Sequence, residues 1–154
     1  MKGDVKVIGH FNAVLSHTLA SINQYFLHSR IYRNVGLTAL AEYDYKISIK
    51  EMKYADSIIE RVLFLEGLPN LQQISTLKIG EDVQEMVQCD MNMQLEIKQL
   101  LVDAVAYCES CADYVSRELF EEILTGEESF IDWSEIQLSL IDKIGIENYQ
   151  QSQI

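Results

Sequence analysis

The chain has 154 residues, 48% of them hydrophobic and 23% charged, which suits one globular domain over 1–154 rather than a disordered or multi-domain protein. Its 24 acidic and 12 basic residues leave a net charge of −12, so nucleic acid and anionic membrane surfaces are poor partners and cations are attracted. No apolar run approaches the ~18 residues of a membrane span, and the opening MKGDVKVIGH lacks the apolar stretch of a secretory leader. The expected location is the cytoplasm.

A helical period covers 5–34 and carries Phe11, Val14, Ile22 and Tyr25 at three- and four-residue spacing. Gly36 then stands where a helix-ending glycine belongs. The second period, 39–65, carries Ile47, Tyr54, Ile58, Val62 and Leu65, with Gly67 as its expected C-terminal glycine. A long connection, 66–81, holds Pro69, the only proline. Gly80 precedes Glu81 and Asp82, acids suited to the positive first turn of a third helix, 82–111, with Val83, Val87, Ile97, Leu101 and Val105. The fourth, 113–144, carries Phe120, Ile123, Phe130 and Ile141, and Gly126 within it suggests a bend. A short fifth helix, 146–153, follows Gly145. A long crossover lets the second and third helices run parallel. The fold class is therefore all-α, an antiparallel four-helix bundle with one long crossover and a short C-terminal helix.

The three cysteines, Cys89, Cys108 and Cys111, are an odd number and argue against a disulfide framework. Cys108 and Cys111 form a C-x-x-C on a helix with no second pair and no histidine beside it, and are read as buried structural thiols.

Two core stripes are interrupted by a carboxylate. Glu51 lies between Ile47 and Tyr54, and Glu127 between Ile123 and Phe130. A buried carboxylate is costly unless paired, protonated or bound to metal. The pair is either a metal site or its remnant, or each turns to solvent or to a hydroxyl such as Tyr54. A second apolar stripe runs through Leu15, Leu19, Ile22 and Phe26 on the first helix and Tyr45, Ile49, Met52 and Ile59 on the second. One bundle needs only one apolar face, so another copy is the simplest cover. A symmetric pair would bring two Met52 thioethers together, a haem-iron ligand set, although a helical methionine is ordinarily a packing residue.

The stretch EMKYADSIIERVLFLEGLPNLQ, 51–72, resembles the signature region of bacterioferritins. INQYFLH at 22–28, IGEDV at 79–83, DYVSRELFEEIL at 113–124, the EE..IDW pattern at 127–133, the opening MKGD and the NYQQSQI tail are similar too, so the resemblance spans essentially the whole chain. It implies a subunit of a hollow 24-subunit shell that stores iron as a ferric mineral. It also implies haem b, one per subunit pair, ligated by a methionine from each copy, here Met52. Leu19, Ile22, Asn23, Phe26, Tyr45, Ile49 and Lys53 match the haem pocket. Asn34, Glu66 and Asp132 match polar positions lining a channel between subunits, or are ordinary interface residues. A bacterioferritin-associated ferredoxin is the implied electron donor for iron release.

The family's iron-oxidising centre uses a glutamate on the first helix, an E-x-x-H on the second, a glutamate on the third and an E-x-x-H on the fourth. Here those positions read Thr18, Glu51 with Tyr54, Gln94, and Glu127 with Phe130, so only the two bridging-type carboxylates remain. The site is expected to be closed and metal-free, the rings at 54 and 130 filling the space while the Thr18 and Tyr54 hydroxyls and the Gln94 amide bond Glu51 and Glu127. Lys46 and Lys50 stand where members often place a histidine and an acid facing the cavity. The expectation is a haem-binding subunit whose ferroxidase centre is lost and is supplied by a second, competent subunit in a mixed shell. A homopolymeric shell that mineralises slowly is one alternative. A haem-carrying electron-transfer protein without storage duty is another.

Overall fold

A computed structural model describes residues 1–154. Five helices follow in order: α1 Val5–Asn34, α2 Thr38–Phe64, α3 Val83–Ser110, α4 Tyr114–Ile144 and α5 Ile146–Ser152. Side-chain caps explain where three of them begin. Asp4 accepts from the Lys6 amide at 2.7 Å, Asp82 from the Glu85 amide at 2.8 Å, and Asp113 from the Ser116 amide at 3.1 Å. Each satisfies an amide that the first turn leaves without a partner.

Two glycines act differently from expectation. After α2 the left-handed residue is Glu66, at φ 61°, rather than Gly67. Gly67 instead lets the chain pass close to α1, where a Cβ would lie 2.9 Å from Ile8. Gly126 produces no bend, since α4 runs unbroken from Tyr114 to Ile144.

Cross-contacts fix the topology. Asp4 meets Tyr107 and Gln24 meets Asp90, so α1 and α3 are antiparallel. The Arg61–Asp113 pair and the Tyr43–Trp133 stack make α2 and α4 antiparallel. With α1 and α2 joined by a tight turn, α2 and α3 run parallel, as the long crossover requires. The crossover lies alongside α1. The Asn70 amide bonds Asn12, Ser75 bonds the Ser16 carbonyl, Lys78 bonds Gln24 and Gly80 bonds His28.

The interior has two apolar storeys. Phe11, Val14, Leu15, Ile58, Val62, Ile97, Leu101, Phe120 and Ile123 fill the larger, where Phe11 and Phe120 stack at 4.1 Å. Tyr32, Leu40, Met86, Ile141 and Tyr149 fill the smaller, which α5 seals. Between them lies a polar storey of fully or almost fully buried Thr18, Gln24, His28, Asp44, Glu51, Asp90, Gln94 and Glu127.

Cys108 is buried and its thiol is pushed up to about 12 by burial, as a structural thiol should be. Cys111 is exposed at the end of α3, so the buried reading fails for it. No helix is long and apolar enough to cross a membrane.

Truncating Phe11 to alanine removes a ring from the larger storey and should lower stability by about 3–5 kcal/mol. Thermal unfolding of the variant against the parent measures this.

Candidate functional site

Glu51 on α2 and Glu127 on α4 are both fully buried and face one another in the polar storey. Ser21 donates to Glu51 Oε2 at 3.0 Å, while its oxygen also lies 2.7 Å from the Thr18 carbonyl. As two carboxylates the pair would leave Glu51 Oε1 and both Glu127 oxygens without any donor. One shared proton removes most of that deficit. Burial pushes the Glu127 carboxyl well above its ordinary range, and the negative charge of Glu51 adds to the effect. Glu51 is raised less, because the hydrogen bonds from Glu127 and Ser21 offset its desolvation. No lysine or arginine pairs with either acid and Ser21 is the one donor that reaches them, so a proton shared between the two is what their burial calls for.

Tyr54 and Phe130 each stand three residues after one of the two glutamates. Phe130 is buried and packs with Tyr25 and Ile47. Tyr54 does not bond either glutamate. Its hydroxyl lies over Gly126, so close that a Cβ there would sit 2.0 Å from the oxygen. Gly126 is therefore the complement of Tyr54, and an unbroken α4 accepts the glycine because the phenol takes the room. The phenol is pushed up to about 12, by burial first and then by the charges of Glu51 and Glu127.

Thr18 and Gln94 are fully buried but do not reach the carboxyls as expected. Thr18 Oγ1 has no partner. Ser134 donates to Gln94 Oε1 at 3.0 Å, which leaves Gln94 Nε2 free and offers any cation the donor end of the amide. Ser21 takes the satisfying role foreseen for these two. Lys50 Nζ lies 5.7 Å from the centre of the Phe130 ring, a cation above the aromatic plug. Lys46 is exposed.

The second face is as open as its stripe suggested. Met52 is 52% exposed, Phe26 45% and Tyr45 41%. Asn23 and Lys53 are exposed beside them, and Leu19, Ile22 and Ile49 are half-buried, with Leu19 and Ile22 packed on the main core. The Phe26 and Tyr45 rings lie 6.4 Å apart with the Arg30 guanidinium over both. A soft thioether presented on an apolar, aromatic face suits a haem iron and its macrocycle.

The three channel candidates do not meet within one chain. Asn34 ends α1, and Glu66 follows the far end of the 27-residue α2, about 40 Å along the helix axis from α2's start. Asp132 lies on the exposed side of α4. Glu66 pairs with the Met1 ammonium at 3.2 Å. A channel using all three positions needs several copies.

The family described as the ferritin-like domain matches residues 8–144. Among curated proteins, the bacterioferritin of Brucella melitensis is 42% identical over 151 residues, 98% of this chain and 94% of that protein. The bacterioferritin of Rhodobacter capsulatus is 42% identical over 149 residues, 97% and 92% of the two chains. That of Mycobacterium avium is 41% identical over 149 residues, 97% and 94%.

Two expectations follow from the carboxyl pair. Gly126→Ala must displace the Tyr54 ring and should cost about 1–3 kcal/mol, whereas the same change in Tyr54→Phe, which lacks the hydroxyl, should cost less; a double-mutant cycle of unfolding free energies reads the difference. Folding takes up the proton that Glu127 holds. That share of stability is full at acid pH and is lost as pH rises from the ordinary carboxylate range toward the folded value, at about 1.4 kcal/mol per pH unit. Glu127→Gln keeps a donor toward Glu51 and should flatten the pH profile by that one proton, as urea titrations between pH 5 and 8 would report.

Proposed function

The chain belongs to the bacterioferritin family, and we propose that within it this subunit carries haem and supports iron storage and release but does not oxidise iron itself. In this reading it is a cytoplasmic protein that pairs with itself and assembles into a 24-subunit shell beside a second, ferroxidase-competent bacterioferritin chain. The observation that carries the reading is the carboxyl pair. Where two ferrous ions, as substrate, would need four compensating negative charges, Glu51 and Glu127 hold one between them, stacked behind Tyr54 and Phe130.

Neutral groups make the exchange unfavourable for iron. Thr18 and the Gln94 amide bring no charge, and the Gln94 end left free is the donor end. Binding ferrous iron at Glu51 and Glu127 would first require removing the shared proton, then moving a phenol and a phenyl ring from packed positions. Each step opposes binding, and Lys50 beside Phe130 adds a like charge at the same place.

The Met52 face supports the other half of the proposal. Met52 from each of two copies would hold the haem b iron. Leu19, Ile22, Phe26, Tyr45 and Ile49 would enclose the macrocycle, with Asn23 and Lys53 at its polar edge. Bound haem supplies one-electron transfer, and the reductant for iron release would be a bacterioferritin-associated ferredoxin. Asn34, Glu66 and Asp132 would line the iron route where copies meet.

Three experiments test the proposal. Native shells purified through this chain should contain a second chain bearing all of the missing ligands; shells of this chain alone would contradict the mixed assembly. Replacing Thr18 and Gln94 with glutamate, and Tyr54 and Phe130 with histidine, should restore a fast phase of ferrous-iron oxidation saturating at about two irons per chain. Met52→Leu should remove the haem absorbance from the pure shell while leaving assembly intact.

A further inference from the structure

The polar storey contains a second buried cluster that the iron and haem chemistry does not use. His28 on α1, Asp44 on α2 and Asp90 on α3 are buried with their ligand-type atoms all within 4.8 Å of one another. Their hydrogen bonds argue against a metal. The Gly80 amide donates to His28 Nε2 at 3.1 Å, so the neutral ring carries its proton on Nδ1. That proton points at Asp90 Oδ1, 2.8 Å away, and leaves no nitrogen lone pair for an ion.

Asp90 also accepts from Gln24 Nε2 at 3.0 Å. Gln24 turns its oxygen to the Lys78 amide at 3.0 Å. Asp44 lies beside Asp90 with their carboxylate oxygens within 4.8 Å, and its Oδ2 has no donor. Only a proton on Asp44, given to Asp90, satisfies both acids. Asp90 then receives donors from Gln24, His28 and Asp44. The same cluster holds two amides of the crossover, Lys78 and Gly80, which alternate with the exposed Leu77 and Ile79.

We propose that His28, Asp44, Asp90 and Gln24 form a proton-dependent latch that fastens the C-terminal end of the crossover to the bundle at neutral pH and releases it in alkali. The groups facing Asp44 offer no alternative charge. Tyr25, His28 and Tyr32 face it from α1, Asp90 from α3, Tyr149 from α5 and Tyr43 from its own helix. From α4, Glu127 is a buried acid that shares Tyr43 as a neighbour. Burial, and then the charge of Asp90, holds the Asp44 proton far above the ordinary carboxylate range. When alkali removes it, two buried carboxylates face each other. Their repulsion pulls Asp90 away from His28 and Gln24, and the Gly80 and Lys78 amides they hold are released with the crossover.

Hydrogen exchange of the full chain, corrected for intrinsic rates, tests this between pH 6 and 9. The Lys78 and Gly80 amides should lose protection by roughly tenfold or more. The Ser75 and Asn70 amides, held by Ser16 and Asn12 instead, should not. Asp44→Asn supplies a permanent donor to Asp90 and should abolish the alkaline loss. Equal loss at all four amides, or an Asp44→Asn profile that follows the parent, would overturn the latch. Because the parent alone gives the first comparison, the test stands even if the variant folds poorly.

Discussion

A charge buried in a helix bundle must find a countercharge, a proton or a metal ion. That constraint organises the middle of this molecule. The two apolar storeys would pack as one continuous core if α1–α4 were apolar throughout. Instead four carboxyls lie between them, in two pairs, Glu51 with Glu127 and Asp44 with Asp90. No lysine or arginine pairs with any of the four, so a shared proton becomes the means of neutralising each pair.

The pairs differ in their surroundings. Asp90 is served by an amide, an imidazole and the second acid, and the cluster ties three helices to the crossover. Glu127 has no such donors. Its hydrogen bonds are incomplete, but its packing is not. The Tyr54 hydroxyl fits the gap left by the missing Cβ of Gly126, and Phe130 closes against Tyr25 and Ile47. Aromatic volume fills the space beside the two acids, while the outward face around Met52 is left exposed.

The helices were legible because their apolar periods are long and their ends carry Asp4, Asp82, Asp113 and Gly145, whose effects are local. The parallel course of α2 and α3 followed from the length of the connection. Glu51, Glu127 and the Met52 stripe were visible as breaks or duplications in a 3.6-residue period. Through-space complementarity was not. Gly126 resembled a bend because its partner, Tyr54, lies on another helix. Thr18 and Gln94 looked like donors to the carboxyls, but Ser134 claims the Gln94 oxygen and Ser21 reaches Glu51 first. The His28 cluster carries no local motif, since its three groups come from three helices and its tautomer is set by a crossover amide.

The central claim is that the carboxyl pair of this chain cannot serve as an iron-oxidising centre. Stopped-flow absorbance during aerobic addition of ferrous iron to the purified single chain, against a protein-free control, tests it most directly. The account predicts no rapid phase above the control. A rapid phase saturating at about two irons per chain, and lost in Glu127→Gln, would contradict it and make the remaining carboxylates a working centre.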